Sequence, residues 1–169
     1  MQATSDWKDQ LELLHHESYM WCLSCCNYDK ELAKDVLQSV YLKIYENSAS
    51  FKARSSLKTW LFSIIKFTSV DFIRKYGMRM EKLNEAHNQI PVSESNDDAA
   101  RTNLFISIMQ SLSYQQREVL TLAFYHDLTL EEIAPLMELS IGTVRTHYER
   151  GKGNFKKLLI QFKLDAELL

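Results

Sequence analysis

Turn-forming residues are scarce in this chain of 169 residues, which has four glycines and two prolines. Sandwiches and barrels need a turn about every ten residues, so those architectures are excluded. Long apolar runs are also missing. None approaches the roughly 18 residues that a membrane-crossing helix requires. Met1 to Asp9 is polar and carries two acids, the wrong chemistry for a secretion signal. The expectation is a cytoplasmic protein with no membrane insertion. A disulfide framework is ruled out too, because Cys22, Cys25 and Cys26 fall within five positions. Cys22 and Cys26 are spaced to share one face of a helix. Reduced thiols on a helix are one reading of them. A metal or redox site with His15 or His16 is the other, although the spacing completes no four-ligand set.

Core-forming residues are plentiful. At 46% hydrophobic, the chain can bury a core and is not globally disordered. Its net charge is only −2, but the charge is unevenly placed. Residues 43–82 carry nine Lys and Arg against three acids; residues 140–163 carry six against Glu149 alone. Residues 1–35, 83–100, 101–139 and 164–169 are all acidic. Two basic blocks set apart by acidic ones suggest two footprints on a polyanion. Taken singly, each block is equally a solvated helix face.

Apolar spacing predicts helices throughout. The first covers about Asp6 to Asn27, with Leu11, Leu14, Ser18, Cys22 and Cys25 on one side. Asp29 can cap a second, running to about Asn47 with Val36, Leu37, Val40, Tyr41, Ile44 and Tyr45 as its stripe. Ser55 or Ser56 starts a third, with Leu57, Trp60, Leu61, Ile64, Ile65, Phe72 and Ile73 inward. Asn84 to Asp98 loses periodicity and reads as a flexible acidic linker. Beyond it come a short helix around Leu104 to Leu112 and another from Tyr114 to about Tyr125, opened by Ser113 and Gln116. Thr129 with Glu132 opens the next, and Ser140 caps a last long one. The expected fold is all-α: two small helical domains, 1–82 and 101–169, joined by a linker at 83–100. Each has its own stripe, so free in solution the two should move partly independently. Trp21, Tyr41, Tyr45, Phe62, Phe72, Phe105 and Phe124 sit at helical spacing and read as core.

The most informative stretch is Thr129 to Arg150. A short helix ends near Met137, three residues follow, and a second helix begins after Ser140. That is helix-turn-helix spacing, with Ile133, Ala134, Leu139 and Val144 placed to lock the two helices. Thr143, Arg145, Thr146, His147 and Arg150 lie where side chains meet base edges; Lys152 and Lys156 continue toward phosphates. An ordinary helical hairpin has the same spacing. There is no phosphate-cradling glycine loop, metal signature or nucleophile elbow. The expectation is therefore no catalytic residue, no metal and no cofactor. A helix-turn-helix regulator, with residues 1–80 as a sensing module, is the alternative.

The run LSYQQREVLTLAFYHDLTLEEIAPLMELSIGTVRTHYERG resembles region 4 of sigma factors of the extracytoplasmic-function group. The run ELAKDVLQSVYLKIYENSASFKARSSLKTWLFSIIKFTSVDFIRK resembles their region 2, and the two stand in the family's order. The resemblance implies an RNA polymerase sigma factor, a promoter-directing subunit and not an enzyme. Its partners would be core RNA polymerase, at the clamp and flap, and promoter DNA. An anti-sigma factor or another recruiter is a further partner it allows, and no stable homo-oligomer is expected. Asp35, Leu37, Gln38 and Tyr41 match the clamp-binding helix, with Ser39 where the family has an acid. Phe51, Lys52, Arg54, Ser55 and Ser56 fall on the loop that captures a flipped minus-ten base. Trp60, Lys66, Phe67 and Arg74 fall on the helix facing the melting duplex. Phe67 replaces an asparagine; an aromatic can stack or wedge instead. Thr143, Arg145, Thr146, His147, Arg150, Lys152 and Lys156 match the minus-thirty-five reader. Glu138 stands where the family's turn has glycine, and Glu149 puts a carboxylate near phosphates. Pro135 would cost a helical hydrogen bond, and Gly151 and Gly153 would each loosen the last helix by about 1 kcal/mol.

Overall fold

The computed structural model describes residues 6–46, 51, 54–80 and 97–167, and every regular element among them is helical. The single helix expected at the N-terminus is two, α1 (Asp6–Leu13) and α2 (His15–Cys25), divided at Leu14. Asn27 and Tyr28 then take left-handed backbone, φ 54° and 65°, and the Tyr28 amide closes back on the Leu23 carbonyl at 2.7 Å. Asp29 opens α3 (Lys30–Glu46) as its position predicts. Its Oδ1 accepts from the amides of Glu31 and Leu32, both at 3.0 Å. Ser56 opens α4 (Leu57–Met80) by accepting from the Thr59 amide at 3.1 Å.

These helices enclose Trp21, which is fully buried, stacks on Phe62, and donates from Nε1 to the Phe62 carbonyl at 3.0 Å. Ala33, Val36, Leu37, Val40 and Ile44 line the buried face of α3 at helical spacing. Ile73, expected inward on α4, is 39% exposed.

The second unit begins with α5 (Asp97–Ser111). Of the stretch expected to be a linker, residues 83–96 lie outside the described residues, and 97–100 belong to α5. Ser113 caps α6 (Tyr114–Leu120), which widens into a π turn over Thr121–Tyr125. The His126 amide there reaches the Thr121 carbonyl, five residues back, at 3.3 Å. One extra residue is thereby accommodated in the turn, and the His126 ring sits edge-on to Trp21 and Phe62. Thr129 and Glu132 form the reciprocal cap that opens α7 (Leu130–Met137). Ser140 opens α8 (Ile141–Glu167) by accepting from the Thr143 amide at 3.1 Å.

Two helical units are present, but they do not stand apart as expected. One apolar cluster runs from Leu11, Trp21 and Phe62 through Val119, Leu122, Ile133, Leu136 and Val144. Polar bonds cross the same boundary. Ser24 and Thr121 share a buried hydroxyl bond of 3.1 Å, and Arg117 donates to Asn27 Oδ1 at 2.9 Å. Burying Val119 and Leu122 outright is worth about 2 kcal/mol each, more than an exposed polar contact supplies.

Three of the aromatics expected in the core lie outside it: Tyr45, Phe105 and Phe124 are 56%, 46% and 62% exposed. Phe124 stacks on Tyr148 and Phe105 packs against Phe155. Phe105, Phe124 and Phe155, with Met20, Tyr28 and Met109, line an apolar cavity of about 350 Å³ at the boundary of the two units.

Candidate nucleic-acid interface

The short α7 and the start of α8 are held as the sequence requires. Ile133, Ala134, Leu136, Met137 and Val144 are buried, with Leu139 half-buried between the helices. The turn takes left-handed backbone at Glu138, φ 55° and ψ 38°, and this non-glycine residue bears roughly 1–2 kcal/mol of strain there. Two bonds offset it, Glu138 amide to Pro135 carbonyl at 3.2 Å and Leu139 amide to Ala134 carbonyl at 3.0 Å. Pro135 is exposed and forfeits the bond to the Glu131 carbonyl, but α7 still continues to Met137.

Arg145, Thr146 and Arg150 are exposed on α8, and Thr143 and His147 are half-buried beside them. The hydroxyls of Thr143 and Thr146 are engaged locally, with Ser140 Oγ at 2.8 Å and the Gly142 carbonyl at 2.9 Å. Arg145 pairs with Glu131 at 3.2 Å, with both side chains mostly in solvent. Such a pair is weak enough to exchange for a stronger acceptor. Glu149 pairs with Lys152 at 2.9 Å, and the Lys152 ammonium lies 4.2 Å over the Tyr148 ring. Its carboxylate is therefore compensated on its own helix. Lys156 is exposed. Gly151 is not a weak point: it is buried against Leu120, where α8 crosses α6. Gly153 has open space around it.

On the other unit, Phe51 tilts against Trp60 with ring centroids 5.0 Å apart, next to the exposed Arg54, Ser55 and Ser56. Lys52 lies outside the described residues. Phe67 is 42% exposed and Arg74 is exposed, 3.5 Å from Asp71. Lys66 departs from expectation. It is 8% exposed, and its ammonium donates to the Met137 carbonyl at 3.2 Å. Closure of the second unit over α4 turns it away from solvent.

Of the four α3 residues, Asp35 and Gln38 are exposed one turn apart, and Tyr41 is half-buried with its hydroxyl 2.9 Å from His15 Nδ1. Leu37 is 4% exposed and belongs to the core. It follows the 33–36–37–40–44 stripe, so it holds the helix and offers no surface for a partner. Leu42, 57% exposed on the same helix, is an apolar group that sequence reasoning passed over.

Sequence reasoning also missed a partly buried polar set at the boundary. Lys58 pairs with Glu17 and donates to the His126 carbonyl at 3.0 Å. His126 is itself buried, with Glu17 3.7 Å from Nδ1, too long for a hydrogen bond. Burial, with the Lys58 charge nearby, lowers its pKa to about 4. Glu118 is fully buried, and neither carboxylate oxygen has a hydrogen-bond partner. Burial raises its pKa to about 7, against the moderating effect of the nearby Tyr114 and Cys25 side chains and of Lys66 and Arg117. Helical spacing could have signalled Glu118, which falls between Arg117 and Val119 on a helix too short to have a wholly solvated side.

The three cysteines are fully buried. Burial and the neighbouring Glu118 push the Cys25 thiol well above its ordinary range. Among the described residues no group of three or more His, Cys, Asp or Glu is placed to hold a metal ion, and no helix is long and apolar enough to cross a membrane.

Family models decide between the readings. The model for Sigma-70 region 2 matches residues 18–78, and that for Sigma-70, region 4 matches residues 102–154. Together they span about two thirds of the chain, in order. The chain belongs to the sigma-70 family. This sigma factor is similar along its length to members of the extracytoplasmic-function group. It is 29% identical over 159 residues to the RNA polymerase sigma factor YlaC of Bacillus subtilis, covering 89% of this chain and 92% of the relative. It is 26% identical over 152 residues to the ECF RNA polymerase sigma factor SigX of the same organism, covering 83% and 78%. Its fold is that of the sigma factor RpoE from Bartonella quintana, solved in complex with the anti-sigma factor NepR. The TM-score is 0.75 at 24% identity, with 92% of this chain and 98% of that one covered. CnrH, solved with the cytosolic domain of CnrY, shares it at TM-score 0.64, with 90% and 87% covered.

Proposed function

We propose that this sigma factor brings core RNA polymerase to promoters through two DNA-facing surfaces. The observation that carries this is the row of Arg145, Thr146 and Arg150, exposed on α8, the second helix of a locked helix-turn-helix, in a chain that holds a second basic, aromatic face on α4. Residues 101–169 enter the major groove at the minus-thirty-five element, where Arg145 reads a base and Lys156 meets phosphate. Residues 1–82 bind the polymerase clamp through Asp35, Gln38 and Tyr41. They capture a flipped minus-ten base near Phe51, Arg54, Ser55, Ser56 and Trp60, with Phe67 stacking where the family uses an amide. The stretch between α4 and α5 joins the two. An anti-sigma factor or recruiter is a further partner, and the setting is the cytoplasm. The phosphodiester chemistry is the polymerase's; the sigma factor contributes recognition and no catalytic group.

The test is promoter-dependent transcription by core polymerase with and without the chain. Start sites should appear only with both present, governed by two unlike elements at fixed spacing. Tight binding to a palindromic duplex without polymerase, and no start-site selection, would make the chain a regulator instead.

A further inference from the structure

One side chain of the first helix of the motif reaches the reading row on the second. Glu131 stands in the first turn of α7, and its Oε1 accepts from Arg145 Nη2 at 3.2 Å, with both side chains mostly in solvent. Its neighbour Glu132 is taken up by the cap with Thr129, and the Thr143 and Thr146 hydroxyls are bonded to Ser140 and to the Gly142 carbonyl. Glu131 is therefore the carboxylate that α7 presents beside Arg145. The bond uses one of the five N–H donors of the guanidinium; Nη2 carries a second hydrogen for another acceptor. A donor and an acceptor thus stand side by side on an exposed edge of the motif. The major-groove edge of a guanine–cytosine pair carries the complementary order, with guanine O6 accepting and cytosine N4 donating. Those two atoms are held about 2.9 Å apart by their own hydrogen bond. An adenine–thymine pair reverses both, because adenine N6 donates and thymine O4 accepts. A phosphate offers acceptors alone and repels the carboxylate.

We propose that Glu131 determines specificity in upstream recognition by reading one guanine–cytosine pair together with Arg145. Arg145 donates to guanine O6 and N7, and Glu131 accepts the cytosine N4 hydrogen that points into the groove. On that edge the Glu131–Arg145 bond is kept, so neither charge is left alone beside the DNA. An adenine–thymine pair in the same orientation sets donor against donor and acceptor against acceptor. The inference rests on the assignment of α8 to upstream DNA and adds to it a reader on α7.

Holoenzyme made from core polymerase and the full chain, titrated onto promoters that carry each base pair in turn along the upstream element, tests this. Wild type should prefer a guanine–cytosine pair at one position, and Arg145→Ala should identify that position by losing the preference. Glu131→Ala should reduce the same preference about tenfold and leave the other positions unchanged. Glu131→Gln should lose less, because its amide oxygen still accepts from cytosine. In the Arg145→Ala background, Glu131→Ala should make no further difference to the preference. The proposal is overturned if no single position answers to Arg145, or if the pair preferred there is adenine–thymine. It is equally overturned if Glu131→Ala changes binding alike on every sequence, or acts undiminished without Arg145. Each of those results leaves α8 as the upstream reader. Upstream substitutions with no effect on wild-type binding would instead overturn the assignment of α8 itself.

Discussion

Gly151 lies so close to Leu120 that a β-carbon in its place would stand 3.2 Å from two of the leucine's carbons and 3.4 Å from Gln116 Cβ. That approach is how α8 seats on α6, and it separates two glycines that look alike in the sequence. Gly153→Ala has open space and should stabilise the protein by about 1 kcal/mol through helix propensity. Gly151→Ala gains the same propensity but must push Leu120 aside, at a cost of roughly 1–3 kcal/mol. Chemical denaturation of the two variants should place Gly151→Ala below Gly153→Ala by at least about 1 kcal/mol. Equal stabilisation would mean that the α6–α8 crossing is looser than described.

Buried Glu118 and His126 make opposite demands on pH. Glu118, raised from 4.5 to about 7, keeps its proton in the folded protein where the unfolded chain has lost it. Its contribution to stability is therefore full below pH 4.5 and lost as pH rises toward 7, a swing of roughly 3 kcal/mol. His126, lowered from 6.5 to about 4, does the reverse: its contribution is full above pH 6.5 and lost as pH falls toward 4. The two slopes oppose each other between about pH 4.5 and 6.5. In the Glu118→Gln protein, stability measured by urea unfolding should rise with pH across that window; with His126→Gln it should fall. Parallel curves for wild type and both variants would show that neither group titrates as its surroundings require.

On α3, stability and partner binding should separate cleanly. Asp35→Lys with Gln38→Ala should abolish co-purification with core polymerase and leave the melting temperature unchanged, because both side chains are exposed. Leu37→Ala should instead cost about 2–5 kcal/mol of stability, because the leucine is 4% exposed. Retention of polymerase at wild-type level by the double variant would move the clamp surface elsewhere, with exposed Leu42 the next residue to change.

Base reading and phosphate binding should also divide along α8. Arg145→Ala should lose about 1–3 kcal/mol at one upstream base pair and little elsewhere. Lys156→Ala should weaken holoenzyme binding evenly and flatten the salt slope by about one unit. A panel of upstream-element variants at several salt concentrations distinguishes them. Even losses on every sequence for Arg145→Ala would remove it from the base-reading set.

Local chemistry was well written in the sequence. Asp29, Ser113, Thr129 and Ser140 each accept from an amide at the helix start that their position marked. The helix-turn-helix could be read because its three-residue break and its inward Ile133 and Val144 are local features. Relations between helices could not be read. Periodicity says which residues share a face, but not which face another unit covers, so Lys66 was placed toward DNA and Phe124 in the core. The π turn escaped for the same reason: its extra residue is stabilised by the packing of His126 on Trp21 and Phe62, far away in sequence. Asn27, at φ 54°, stands at the end that apolar spacing gave the N-terminal helix, whereas the division at Leu14 leaves no mark in that spacing.

The buried cysteines give the chain a recorder of its own motions. An alkylating reagent can reach Cys22, Cys25 or Cys26 only during the moments when the helices around it part. Cys22 donates to the Ala33 carbonyl inside the first bundle, so its modification counts excursions in which that bundle itself comes open. Cys25 sits beside Glu118, within the field of Lys66, so its modification counts separations of the two units. The ratio of the two rates is a clock comparison, obtained without any added label, between parting at the seam and unravelling of the whole.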